Sequence, residues 1–168
     1  MRVFVLENRF IIVFTNTISG IARLQYIAIN IANPSIVTTN ADIAANYVPA
    51  STLSWDAAVV GNALFVAYNT TAGGQSVQIV KLTSTLALTA PTTLVGSKAT
   101  MMSVTPDMTN SANPTIYISF YDSVSDDGYT AAVDNNVGVV LSPVQTINNE
   151  SVLNITSAAQ NGVCKVFY

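Results

Sequence analysis

Histidine is absent from this chain, and cysteine occurs once, at Cys164. Without imidazole there can be no histidine acid–base relay and no zinc–histidine cluster. A single thiol makes neither an internal disulfide nor a thiolate cluster, and Cys164, in an apolar strand, reads as a buried inert thiol. Charge is scarce too. Six Lys and Arg and nine Asp and Glu amount to 9% of 168 residues, for a net charge of -3, where roughly 25% charged residues is ordinary. The few bases are scattered, so no phosphate-tracking surface forms and nucleic acid is not an expected partner. No apolar run approaches the ~20 residues of a membrane-crossing helix, so no transmembrane segment is expected. The opening MRVFVLENRFIIVF does not read as a secretory leader, because Glu7, Asn8 and Arg9 interrupt it; export would need a leader outside this sequence or another route. The opening alternates like the start of a strand. Glycine spacing of the nucleotide-binding kinds is missing. No cofactor and no enzymatic activity are expected.

Half of the residues are hydrophobic, and the polar remainder is mainly Thr, Asn and Ser. So uncharged a surface suits an extracellular, cell-surface or virion protein. Weak repulsion between copies favours association. Three Asn-x-Ser/Thr triplets, at Asn69, Asn149 and Asn154, read as chance matches in a chain rich in Asn and Thr.

A pattern recurs along the chain: a small turn, a β-branched and aromatic run, then Asn or Asp. Its copies are Asn8–Asn16, Gly61–Asn69 and Pro114–Asp122, so Asn16, Asn69 and Asp122 are 53 residues apart. A fourth copy runs Asn161–Tyr168 and is closer to its predecessor. Second strands are expected at Arg23–Ile29, Val77–Leu82 and Tyr129–Val133, after Gly-rich polar loops at Ser19-Gly20, Ala72–Gln75 and Asp126–Gly128. Weaker strands are expected at Ser35–Val37, Thr92–Val95 and Val144–Ile147. Others precede the anchors, at Ser54–Val59, Met102–Val104 and Ser151–Ile155. The first unit lacks such an opening strand. Prolines fall between strands or at their ends. The segment Ala41–Asn46 offers at most one or two helical turns, capped by Asn40 or Asp42.

The expected fold is therefore all-β, with about three four-stranded antiparallel units of ~53 residues each. The unit bounds are 1–53, 54–106 and 107–150, with a partial fourth at 151–168, all in one repeat domain. The run Asn62–Asn69 with its Gly turn and following strand resembles the second strand of a β-propeller blade. The likeness covers most of the chain but is one of pattern, with no diagnostic motif and no named family. It implies a propeller-like array, and a closed propeller needs about four blades or more. The chain would then be a piece of a longer one. If its last strand completes the first unit instead, a β-trefoil or prism results; a β-sandwich is the other alternative. The apolar end Val166-Phe167-Tyr168 is expected to fill a sheet, in this chain or against a neighbour.

Four sets of residues are candidates for function. Asp122, Asp126 and Asp127, with Asp134 nearby, put oxygen ligands around Gly128 as Ca²⁺ requires, although Asp-Gly is first a turn former. Trp55 and Asp56 would make a carbohydrate-contact pair if both were exposed beside a groove. Asn16, Asn69 and Asp122 would do so if each unit showed an exposed aromatic beside them. The aromatics Phe14, Tyr68, Tyr117, Phe120, Tyr121 and Phe167 read as inter-sheet core, whereas Trp55, Tyr47 and Tyr129 read as surface. Paired carboxylates across a cleft would suit glycoside hydrolysis, but nothing pairs any two of the nine acids.

The expected function is a non-enzymatic structural and interaction module of an extracellular or virion surface assembly. Its partners would be other protein subunits or copies of itself, and glycans if the aromatic sets are exposed. The alternatives are a carbohydrate-binding, lectin-like module and a fragment of a propeller hydrolase.

Overall fold

The computed structural model describes residues 1–34, 40–47, 54–70, 75–96, 98–122, 124–147 and 152–168. Among them the chain is strand and turn throughout, without helix. The expected strand at Ser35–Val37, the glycines of the Ala72–Gln75 loop, Pro49 and Asn149 lie outside the described residues.

Four antiparallel sheets follow one another along the chain. Sheet 1 is a meander of β1 (Arg2–Leu6), β2 (Arg9–Ile18), β3 (Ile21–Asn30) and β4 (Ala41–Ala44). Sheet 2 repeats it with β5 (Trp55–Val60), β6 (Ala63–Thr70), β7 (Ser76–Thr83) and β8 (Thr92–Val95). Sheet 3 comprises β9 (Ala99–Asp107), β10 (Thr115–Asp122), β11 (Asp127–Val133) and β12 (Val139–Ile147). It starts at Ala99, upstream of the position 107 at which the spacing begins a third unit. Sheet 4 has two strands, β13 (Thr156–Gln160) and β14 (Val163–Phe167).

Several expectations need correction. The first unit does have its opening strand, β1. Its hairpin to β2 turns on Glu7 and Asn8, with Glu7 at φ 53°; the sequence marked Asn8 as the start of the following run, but not the strand before it. Ala41–Ala44 is a strand rather than a helical turn. Edge pairing with β3, Gln25 opposite Asp42, overrides the local helical preference of its alanines. The strand expected at Ser151–Ile155 forms further on, at Thr156–Gln160, while Val152 and Ile155 are buried beneath the hairpin as plugs. Pro106 and Pro143 lie inside β9 and β12. Both are outer strands of sheet 3, where one row of N–H groups has no ladder partner to lose, and the β11–β12 register slips beside Pro143, between Thr130 and Ala132.

The sheets stack face to face in chain order; on each, the front is the face turned to the next sheet. Ile11, Val13, Leu24 and Tyr26 on the front of sheet 1 meet Leu64, Val66, Tyr68 and Val80 on the back of sheet 2. Phe65, Ala67, Val77 and Ile79 on the front of sheet 2 meet Ile116, Ile118, Phe120 and Val133 on the back of sheet 3. Strand β6 is consequently buried along its whole length. Each large apolar side chain so enclosed contributes about 1.5–3 kcal/mol. A smaller cluster of Tyr121, Ile147, Val152 and Ile155, with Met101 and Val166 against it, joins sheet 3 to sheet 4.

The repeat is real in the sheets, but its length is not constant. The turn Glu7-Asn8 corresponds to Gly61-Asn62, 54 residues on. Ile11 and Val13 point forward to sheet 2, yet Leu64 and Val66, 53 residues later, point back at sheet 1. Side chains alternate along a strand, so an error of one residue exchanges the faces. Asn16, Asn69 and Asp122 are equally spaced but not structurally equivalent.

Candidate functional site

The equally spaced polar residues do three different things. Asn16 is exposed on the back of sheet 1, where its Nδ2 donates to Gln25 Oε1 at 3.1 Å. Gln25 Nε2 in turn donates to Asp42 Oδ1 at 2.8 Å, and Arg23 is paired with Asp42 at 2.5 Å. Asn69 is 2% exposed. Its Oδ1 accepts the Ala99 N–H at 3.1 Å and its Nδ2 donates to the Ala99 carbonyl, so one amide side chain stands in for a strand partner at the start of sheet 3. Its burial also closes the Asn69 triplet to glycosylation. Asp122 is buried as well and accepts the Val124 N–H at 2.9 Å, within its own loop.

Trp55 and Asp56 tie sheets together instead of facing solvent. Trp55 is 4% exposed, with the Arg2 guanidinium 5.1 Å from its ring centre, so no indole face is left to stack on a sugar. Asp56 forms an ion pair with Arg2 of β1, and its other oxygen accepts the Val104 N–H of β9 at 2.7 Å. One carboxylate thus joins the first strands of three consecutive sheets. The next junction uses hydroxyls: Thr105 Oγ1 lies 2.7 Å from Ser157 Oγ, and the Ser157 N–H donates to Ser103 Oγ at 3.1 Å.

The acidic loop does not converge on a point. Asp126 Oδ1 accepts from the Tyr121 hydroxyl at 2.8 Å, which raises the tyrosine's pKa above its ordinary value. Asp127 accepts from Gln145 Nε2 at 2.7 Å and from the Tyr129 hydroxyl at 3.3 Å. Asp134 closes the β11–β12 turn by accepting the N–H groups of Asn136 and Gly138. Among the described residues no three His, Cys, Asp or Glu side chains are placed to hold a metal ion.

Of the aromatics expected in the core, Tyr68, Tyr117, Phe120 and Tyr121 are buried, Phe14 is half-buried and Phe167 is exposed. Burial pushes the Tyr68 hydroxyl up to about 12. Of those read as surface, Tyr47 and Trp55 are buried and Tyr129 is half-buried, stacked on Phe120 at 5.7 Å. Long-range sheet stacking decides their burial, and local sequence carries no trace of it. Cys164 is half-buried, and desolvation raises its thiol pKa.

Residues without polar chemistry form the most distinctive surfaces. The back of sheet 1 presents Val3 and Val5, each 55% exposed, beside Phe10, with Ile12, Ile27 and Ile29 around them. At the far end, Val163 and Phe167 are exposed on the front of sheet 4. Beside β14, Leu141 and Val144 are exposed on the front of sheet 3. The sequence signal for these faces was the unbroken apolar run itself, but it does not say which faces would lack a cover.

A last network fixes sheet 4 in place. Asp107 accepts from Thr109 Oγ1 at 2.6 Å, from the Thr109 N–H at 2.9 Å and from the Gly162 N–H at 2.6 Å. These bonds, those from Thr109 first, hold the carboxylate below its ordinary pKa. Tyr117 donates to the Gly162 carbonyl at 3.0 Å on the other side of the turn.

Among the described residues, no helix is long and apolar enough to cross a membrane. No protein-family model matches the chain, and neither curated proteins nor solved structures give a match.

Proposed function

We propose that the chain is a non-catalytic structural and interaction module, built of propeller-like sheet units, that associates with further copies of itself in an extracellular, cell-surface or virion assembly. The observation that carries this reading is the uncovered back of sheet 1. Phe10 and Ile12 occupy the positions that Leu64 and Val66 hold in sheet 2. There the residues lie under a neighbouring sheet, while Phe10, Val3 and Val5 remain exposed. Apolar patches of this kind mark interaction surfaces.

Throughout the stack, backs pack on fronts. The surface that fits the back of sheet 1 is thus a front of the same construction, and the last sheet leaves Val163 and Phe167 of its front exposed. Such head-to-tail contact builds rings or filaments. The charges on the back of sheet 1, Arg23 and Asp42, are already paired with each other, so covering the face strands neither. A net charge of only -3 opposes association weakly. The propeller-like reading is supported by the stacking in chain order and by the side-by-side first strands joined through Asp56 and Ser157. The low charge and the Thr- and Asn-rich composition support the extracellular or virion setting.

The test is native mass and sedimentation across a concentration series, for the wild-type chain and for Val5→Asp. Val5 is exposed, so the substitution leaves folding intact. Association that rises with concentration and disappears in Val5→Asp is expected. A wild-type chain that stays monomeric at high concentration refutes the reading.

A further inference from the structure

We propose that Asn161-Gly162, the turn between β13 and β14, is a site of spontaneous covalent modification, deamidation through a succinimide, and that a clamp centred on Asp107 holds the reaction back. Conversion would undo the joint that fastens this turn to sheet 3.

The chemistry belongs to the residue pair. A backbone nitrogen can attack the side-chain carbonyl carbon of a preceding Asn, and glycine, with no Cβ in the way and a mobile backbone, permits this best. Asn161 is the only Asn in the sequence that Gly follows. The turn of sheet 2 has the two residue types in the opposite order, Gly61-Asn62, and Ala63 comes next. Asn161 is exposed, as are Gln160 and Gly162 on either side of it, so water has access. In the reaction the Gly162 nitrogen gives up its proton and bonds to Asn161 Cγ. The Cγ–Nδ2 bond breaks, and ammonia leaves with that proton. Water then opens the ring at either carbonyl, which leaves Asp or isoaspartate at position 161. Nothing is oxidised or reduced.

The folded turn is held out of reach of this reaction. Asn161 has φ 53° and Gly162 has φ 74°. For a residue with a Cβ, that φ goes with ψ of roughly +30 to +60°. Cβ and the following nitrogen then lie on opposite sides of the Cα–C bond, and the nitrogen cannot meet Cγ until the turn opens. Three bonds from sheet 3 and the loop after β9 oppose the opening. The Gly162 N–H donates to Asp107 Oδ2 at 2.6 Å, and the Asn161 N–H donates to Thr109 Oγ1 at 2.8 Å. Thr109 Oγ1 itself donates to Asp107 Oδ1 at 2.6 Å, and the Tyr117 hydroxyl donates to the Gly162 carbonyl at 3.0 Å. The nitrogen that must attack is thus the one whose proton Asp107 holds. The carboxylate also opposes ionisation of that nitrogen, because a second negative charge would form beside the first.

The product does not fit the clamp. Both products carry a carboxylate on the residue next to the amide that Asp107 holds, and like charges so placed repel. Isoaspartate also adds a backbone carbon to a two-residue turn that sets Gln160 opposite Val163.

The test follows Asn161 in the full chain by peptide mapping and mass spectrometry. The chain is kept in mildly alkaline buffer, below the melting range of every variant used. The readout is the fraction with OH in place of NH2 at position 161, and the reference is a capped peptide with the sequence of Ala158–Val163. The wild-type chain should convert at least about tenfold more slowly than the peptide, and Asp107→Ala about 10- to 100-fold faster than wild type, the factor that a hydrogen bond to a charged group carries. Tyr117→Phe should accelerate conversion less. Asn69→Ala weakens the stack away from this turn and should leave the rate near that of wild type. The clamp is refuted if the wild-type chain converts as fast as the peptide, or if Asp107→Ala is no faster than wild type. It is refuted too if Asn69→Ala converts as fast as Asp107→Ala, since global unfolding then sets the rate. Asn161→Asp stands in for one product. Its Gly162 amide should exchange hydrogen faster than in the wild-type chain while sheets 1 and 2 exchange as before, and an unchanged Gly162 amide would overturn the loosening of the joint.

Discussion

Replacing Asn69 by Ala should cost far more than replacing Asn16 by Ala, although the two are equally placed in the sequence pattern. Asn69 bonds both backbone groups of Ala99 with its side-chain amide, and both residues are buried. Truncation leaves a buried N–H and a buried C=O without partners, each at about 1–3 kcal/mol. Allowing for some relaxation, the loss should be about 3 kcal/mol, and at ~2–4 °C per kcal/mol for a domain of this size the melting temperature should fall by about 6–12 °C. Asn16 is exposed and its side chain bonds Gln25 and the exposed Thr17 N–H, which water can replace, so Asn16→Ala should stay within about 0.5 kcal/mol. Asn69→Asp is the sharper probe. Its carboxylate still accepts from the Ala99 N–H but can donate nothing to the carbonyl and sets a negative charge against it. It should therefore destabilise despite its nearly identical shape. Urea unfolding and thermal melts followed by circular dichroism give all three values. Asn69→Ala within 1 kcal/mol of wild type, or Asn69→Asp as stable as wild type, would refute the idea that this side chain acts as a strand partner.

Two glycines should respond to alanine for different reasons. At Gly128 a Cβ would lie 2.6 Å from Ile147 Cδ1 and 2.9 Å from its Cβ, so Gly128→Ala should cost about 1–3 kcal/mol by overpacking, read from urea midpoints. At Gly61 a Cβ meets nothing within 4 Å but φ is +58°, so Gly61→Ala should cost about 1–2 kcal/mol from backbone strain alone; a loss well above that range, or none at Gly128, would contradict the assignment. Acid should loosen sheet 4 through Asp107. Its folded pKa is depressed by Thr109 and Gly162, so the stabilisation is full above the ordinary carboxylate value of about 4 and is lost as pH falls through the lower folded value. The Gly162 amide resonance should titrate below about pH 4, and Asp107→Asn should abolish that titration. An amide that titrates at or above the ordinary carboxylate value, or that still titrates in Asp107→Asn, would sink the argument.

The strands were legible and the faces were not, for one physical reason. A strand announces itself by composition over several residues, so an error of one in its position does little harm. Ala63–Thr70, Ser76–Thr83 and Thr92–Val95 therefore lie where β-branched and aromatic runs end at turn residues. Which face a side chain occupies depends on parity, and there an error of one reverses the answer. The 53-residue spacing joins Asn16, Asn69 and Asp122 into a set, whereas the turn from β1 to β2 precedes that from β5 to β6 by 54. A ligand surface inferred from the set would have put residues from opposite faces side by side. Trp55 fails differently. Its burial comes from the stacking of sheet 2 on sheet 1 and from Arg2, 53 residues away in the chain, and no local window contains that contact. What survives both failures is the unbroken apolar run itself, as in Phe10–Phe14 and Ala63–Tyr68. It makes both faces of sheets 1 and 2 apolar, and it does so for Val3, Val5 and Phe10 just as for Leu64 and Val66. A sequence that prepares the back of sheet 1 for burial, in a fold that leaves it open, specifies a surface whose cover must come from outside the described stack.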